Sequence, residues 1–196
     1  MPKLLNLRPD TANSTVHKEQ NKQQKRRCQQ VRQILTKTNL EKDVAAINVI
    51  GTNKQNQNLS KARQLLRTSS VSLVVVRGTY IWQRSGRGIR PLYDLVTEEE
   101  HNLKGGALAD IVIGKAAALL ILYAGLTSAY ARVMSRPAYN LLVHNNVDVV
   151  PDVIVEGILN RDQTGPCPME SLTTNLTIPG QAYRLIGQML QKWRNQ

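Results

Sequence analysis

A three-layered α/β fold with a mixed sheet is what this sequence predicts for residues 58–196, and three observations carry the prediction. Short runs rich in β-branched residues alternate with segments whose apolar residues recur at helical spacing. Residues 71–76 and 80–84 flank the turn Arg77, Gly78, Thr79, a hairpin signal that adds antiparallel pairing to the sheet. A chain of 196 residues with 41% hydrophobic side chains can bury one good core.

The elements follow in order. Asn58 caps a first helix whose inward face is Leu59, Ala62, Leu65 and Leu66. After the hairpin, residues 85–88 form a loop, and Pro91 opens a helix with Leu92, Leu95 and Val96 inward, closed by the acidic run 98–100. Asp110 is expected to cap a helix over residues 111–124 that ends at Gly125. That helix is apolar on every side except at Lys115, which makes it the central one. A strand over 128–134, a helix from Pro137 to His144, a turn at Asn145 and Asn146 and a short strand at 147–149 come next. Residues 152–160 show no clear period. Cys167, Pro168, Met169 and Glu170 read as a helix start, with proline and an acidic residue in the first turn. Pro179 begins the last helix, whose stripe is Ala182, Leu185, Ile186, Met189, Leu190 and Trp193.

Charge divides the chain. Residues 1–67 carry 14 lysines and arginines against 4 acidic residues, whereas 68–196 carry 12 against 10. The basic character therefore belongs to an extension over residues 1–57, helical or flexible, with a helix expected at 19–36 and a linker at 48–57. Its basic face over residues 18–37 offers a nucleic-acid contact, with a solvated surface as the plainer alternative. No aromatic is interleaved there for base stacking. The start of the sequence lacks a continuous apolar core of the secretory type, and the longest apolar run, 116–126, is too short to span a bilayer. Cys28 and Cys167 do not make a disulfide framework. These readings lead to the expectation of a cytoplasmic protein without membrane partners.

The element order resembles the cytidine-deaminase-like architecture. The segments 110–120 (DIVIGKAAALL), 160–172 (NRDQTGPCPMESL) and 72–76 ahead of Arg90, Pro91 and Leu92 look like a bacterial family of unknown function assigned to that fold. The resemblance covers roughly residues 58–190. In zinc deaminases of this fold, the first core helix starts with a His or Cys and a Glu, and a PCxxC motif opens the next. This chain offers Ile113, Gly114, Lys115 and Ala116 at the first place, and Pro137, Ala138, Tyr139, Asn140 and Leu141 at the second. Alanine and leucine cannot coordinate zinc, so the resemblance implies the fold without its metal and without a zinc-dependent deaminase activity. No cofactor is expected.

The residues that carry chemistry gather in two segments. Lys115, early in an apolar helix, calls for a compensating anion at the helix N-terminus, or else snorkels to solvent or pairs with Asp110 or Asp162. Cys167 at a helix start has a setting that lowers thiol pKa values, although cysteines in such places more often pack. The expected ligand site comprises Gly114, Lys115, Asn160, Arg161, Asp162, Thr164, Gly165, Cys167 and Arg90, and the expected ligand is a small anionic or nucleotide-like molecule. Arg84, Arg87 and Arg90 around Gly86 and Gly88 suit an anion as well. The rival reading is a non-zinc enzyme in which Cys167 is the nucleophile, Lys115 stabilises charge and Asp162 or Glu170 transfers protons. A further alternative places the activity in the basic extension.

Overall fold

The computed structural model describes residues 56–99, 101–160 and 162–195. The chain groups into two units, Met1–Gly51 and Thr52–Gln196, and every described residue belongs to the second. The helix and nucleic-acid contact expected within residues 18–37 lie outside the described residues, as does Arg161.

A five-stranded mixed sheet organises this unit in the order β2-β1-β3-β4-β5. The strands are β1 Leu73–Arg77, β2 Tyr80–Arg84, β3 Ala107–Ile113, β4 Ser128–Ser135 and β5 Asp148–Val155. β1 runs antiparallel to β2 and β3, while β3, β4 and β5 run parallel. The hairpin closes between Arg77 and Tyr80 because Gly78 takes φ +60°, a left-handed conformation that costs glycine little.

Helix α1 (residues 56–68) covers one face of the sheet, packing Leu59, Ala62 and Leu66 onto Val74, Val76, Ala107, Ala109 and Tyr130. The other face carries α2 Arg90–Glu98, α3 Lys115–Tyr123, α4 Arg136–His144, α5 Pro168–Thr173 and α6 Pro179–Arg194. α3 lies at the centre and touches α2, α4, α5 and α6, which explains why it is apolar all round. The layers are helix, sheet and helix, as the sequence predicts.

Four local expectations need correction. The helix expected over 111–124 divides into the strand β3 and the helix α3, with Gly114 between them in an extended conformation. Asp110 therefore lies within a strand and caps no helix; its carboxylate accepts the Val112 N–H at 3.3 Å. β5 extends to Val155 rather than ending at 149, taking in part of the segment without a clear period. Asn58 sits inside α1, which is present from residue 56, and its side-chain oxygen accepts the Gly78 N–H at 3.1 Å, tying the helix to the hairpin turn.

On the α1 face, the buried Tyr130 donates its hydroxyl hydrogen to Asp152. Arg63 stacks over the Tyr130 ring at 4.7 Å and pairs with the same carboxylate at 3.2 Å. The Tyr130 hydroxyl and the two arginines Arg63 and Arg67 hold the Asp152 carboxyl below the ordinary carboxylate range.

Candidate functional site

A cleft of about 1010 Å³ opens on the sheet face that carries α2 to α6. Parallel strands followed by helices bring several helix N-termini to one edge of a sheet, and clefts form there. The floor is the start of β1 and the second half of β3, with Leu73, Asp110 and Val112. One wall is the loop 86–89 and the start of α2; another is Ile158, Leu159, Asn160 and Asp162 with the start of α5. Leu190 and Trp193 of α6 close the rim.

The first wall depends on its glycines. Gly86 and Gly88 take φ values of +153° and +67°, and a Cβ on Gly86 would lie 2.8 Å from Pro91 Cγ. Only glycine lets the loop fold this tightly against α2 and carry Arg87 to the cleft mouth. Arg90, the first residue of α2, donates to the Leu190 carbonyl at 3.2 Å and so fastens α6 across the cleft.

The second wall is a loop held by its own side chains. Asn160 Oδ1 accepts the Thr164 N–H at 2.9 Å and the Gly165 N–H at 3.4 Å, while its amide donates to the Thr164 hydroxyl at 3.0 Å. Backbone bonds from Cys167 N–H to the Ile158 carbonyl at 2.8 Å and from Asn160 N–H to the Gly165 carbonyl at 2.9 Å close it. Cys167 is then the N-cap residue of α5, partly buried, and makes no side-chain capping hydrogen bond. α5 is a six-residue helix, so its terminal field on that thiol is weak.

Glu170 determines the character of the site. Its Oε1 accepts the backbone N–H of Lys115 at 2.9 Å, the first residue of α3. The carboxylate is seated over Gly114, where an added Cβ would collide with Oε1 and lie 3.2 Å from Ile158 Cγ1. The N-terminus of the central helix thus already holds an anion, supplied by the chain itself. The Lys115 ammonium turns away and donates to the Thr174 carbonyl beyond the end of α5. The half-buried lysine is compensated by a carbonyl at its ammonium and by the Glu170 carboxylate at its own N–H.

Six of the expected residues therefore line one cleft: Gly114, Arg90, Asn160, Asp162, Cys167 and Glu170. The Lys115 side chain is directed to Thr174 and does not line it; nor do Thr164 and Gly165, which shape the loop behind it. The structure does not bring the Lys115 ammonium and the Cys167 thiol together at the cleft.

Two lining residues carry signals that sequence reasoning assigned elsewhere. Asp110, read as a helix cap, is half-buried and lines the cleft, and desolvation pushes its pKa up to about 7 against the opposing pull of the Val112 and Ile111 N–H groups. Trp193, read as part of a packing stripe, is 41% exposed on the rim, where a flat ring can stack on it. A carboxylate inside an apolar run (Ala109, Asp110, Ile111) and an aromatic at the last turn of an amphipathic helix are the signals that were present.

The two helix starts that the sequence resemblance sets against the zinc ligands of deaminases do not fit a metal. α3 begins with Gly114, Lys115 and Ala116, and α4 begins with Ser135 as its N-cap, whose hydroxyl accepts the Ala138 N–H at 3.3 Å, followed by Arg136, Pro137 and Ala138. None of these supplies a thiolate or an imidazole. Among the described residues there is no group of three or more His, Cys, Asp or Glu side chains able to hold a metal ion, and no helix long and apolar enough to cross a membrane.

The fold is a three-layered α/β domain on a mixed five-stranded sheet, and neither of these two helix starts offers a metal ligand. The chain belongs to the family described as TM1506, a domain of unknown function (DUF1893), whose model matches residues 61–190. No curated protein matches it. Among solved structures it is similar to the DUF1893 family protein TM1506 of Thermotoga maritima, at 25% identity and a TM-score of 0.63, over 68% of this chain and 90% of that one. Weaker likenesses are to the dCMP deaminase of cyanophage S-TIM5 (15% identity, TM-score 0.36, 50% of this chain and 95% of that one). A third is the Thermotoga maritima diaminohydroxyphosphoribosylaminopyrimidine deaminase/5-amino-6-(5-phosphoribosylamino)uracil reductase (14% identity, TM-score 0.33, 52% of this chain and 37% of that one).

Proposed function

We propose that this domain binds a nucleotide-like small molecule in the cleft, with the phosphate at the mouth beside Arg87 and Arg90 and the ring inside against Trp193 and the β3 floor. One observation carries the reading: a single cleft, large enough for a mononucleotide, is lined by two arginines, an exposed tryptophan and three carboxyls. The N-terminus of α3 does not serve the phosphate, because Glu170 fills it. Arg87 takes that part, being an exposed guanidinium on a glycine-framed loop.

Calorimetric titration with nucleoside monophosphates, their nucleosides and inorganic phosphate tests this. Monophosphates should bind in preference to both other classes. Arg87→Ala should weaken monophosphate binding roughly tenfold while sparing nucleoside binding, since a charge-assisted contact is worth about 1.5–3 kcal/mol. Cys167→Ser should leave affinity unchanged. Equal binding of nucleosides and their monophosphates, or no effect of Arg87→Ala, would refute the placement.

A further inference from the structure

The cleft is rich in hydrogen-bond acceptors. Asp110, Asp162 and Glu170 bring three carboxyls to its lining, beside the cations Arg87 and Arg90; Asp110 and Glu170 are half-buried, whereas Asp162 and Arg87 are exposed. Of the three carboxyls, Glu170 is engaged at the Lys115 N–H. Asp110 is met by backbone N–H groups of its own strand and forms no ion pair among the described residues. β3 holds it rigidly, paired to Leu73 on one side and Ala131 on the other. A half-buried carboxyl on a fixed strand, lining a cleft with no cation of its own, suits a partner that brings two N–H donors.

We infer that Asp110 is the group that reads the ring of the ligand, accepting two hydrogen bonds from an N–H-rich edge of the guanine type. This inference rests on the cleft being the ligand site. The carboxylate form accepts both bonds; the neutral acid presents a competing donor to the same edge. Because desolvation favours the neutral acid up to about pH 7, binding a two-donor edge expels a proton from Asp110 and strengthens as pH rises through that value. Among the described residues, the charged groups that line the cleft with Asp110 are Arg87 from the loop, Arg90 from α2, Asp162 from the segment after β5 and Glu170 from α5; Cys167 at the N-cap of α5 is the remaining titratable group. α6 presents only Leu190 and Trp193 there.

GMP, IMP and UMP serve as probes, because GMP and IMP share a phosphate and differ by the exocyclic amine that supplies the second donor. Titration calorimetry at pH 6 and pH 8 should give GMP a preference over IMP of roughly five- to hundredfold at pH 8, the range of a bidentate pair. The preference should shrink severalfold at pH 6, and since the phosphate titrates alike in both ligands, its contribution divides out. Asp110→Asn, which keeps the acceptor toward the Val112 N–H, should abolish both the preference and its pH dependence. GMP titrated into the unaltered protein in two buffers of different ionisation enthalpy should release protons at pH 7, a readout that does not depend on the variant folding. Equal, pH-independent binding of all three nucleotides, or a preference that survives Asp110→Asn, would overturn the inference and leave the cleft reading standing. Absence of binding by any of them would overturn both.

Discussion

Replacing Gly114 with alanine isolates the device that closes the start of the central helix. Gly114 has φ −96° and ψ 179°, which any residue adopts, so the backbone itself tolerates alanine. The cost arises because the new Cβ collides with Glu170 Oε1 and drives the carboxylate off the Lys115 N–H. Losing a charge-assisted hydrogen bond costs about 1.5–3 kcal/mol. Removing a negative charge from a helix N-terminus adds about 0.3–1 kcal/mol, so the expected destabilisation is about 2–4 kcal/mol. For a domain of this size that is a Tm lower by roughly 6–15 °C. Glu170→Ala should cost a similar amount, and the double variant Gly114→Ala/Glu170→Ala little more than either alone, because the collision and the cap vanish together. Urea denaturation of the four proteins measures the coupling directly. Additive effects, or a neutral Gly114→Ala, would show that the carboxylate is not seated as described.

Gly187→Ala should destabilise the domain although alanine favours a helix interior by about 1 kcal/mol over glycine. On α6 the new Cβ meets the Tyr93 hydroxyl and lies 3.0 Å from its ring carbon Cζ, disturbing a stack in which Tyr93 and Tyr183 centroids are 5.1 Å apart. Thermal melts should show a loss of about 1–3 kcal/mol, partly restored by adding Tyr93→Phe, and a stabilised Gly187→Ala would contradict the packing. A pH dependence follows from Asp110, whose pKa is raised on folding. The folded chain holds a proton that the unfolded chain gives up near pH 4, so stability falls as pH climbs from about 4 to about 7 and levels off above. Urea midpoints at pH 5 and pH 8 should differ in that sense, and Asp110→Asn should reduce the difference; the Asp152 carboxylate, whose pKa is lowered, acts instead below about pH 4.

The architecture was legible where periods change abruptly, as from 71–84 to Pro91 and from Pro137 to His144. It was not legible at 107–123, because a central strand and a helix packed on nearly every side are both almost wholly apolar, and no period separates them. Gly114 was the boundary, and the β-branched residues Ile111, Val112 and Ile113 before it were the strand signal. The segment from Asn160 to Glu170 could be recognised as a site wall because its polar residues are local. The role of Lys115 could not, since the carbonyl that receives its ammonium lies 59 residues away in the chain. Asp110 was misread for the same reason: only the sheet pairing shows that it faces a cleft rather than a helix start.

A crystal structure of the protein grown with GMP tests the central claim most directly. The nucleotide should lie in the cleft, its ring edge within hydrogen-bond distance of Asp110, its face on Trp193 and its phosphate beside Arg87. A nucleotide seated elsewhere, such as on the arginines of α1, or one whose phosphate displaces Glu170 from the start of α3, would contradict it.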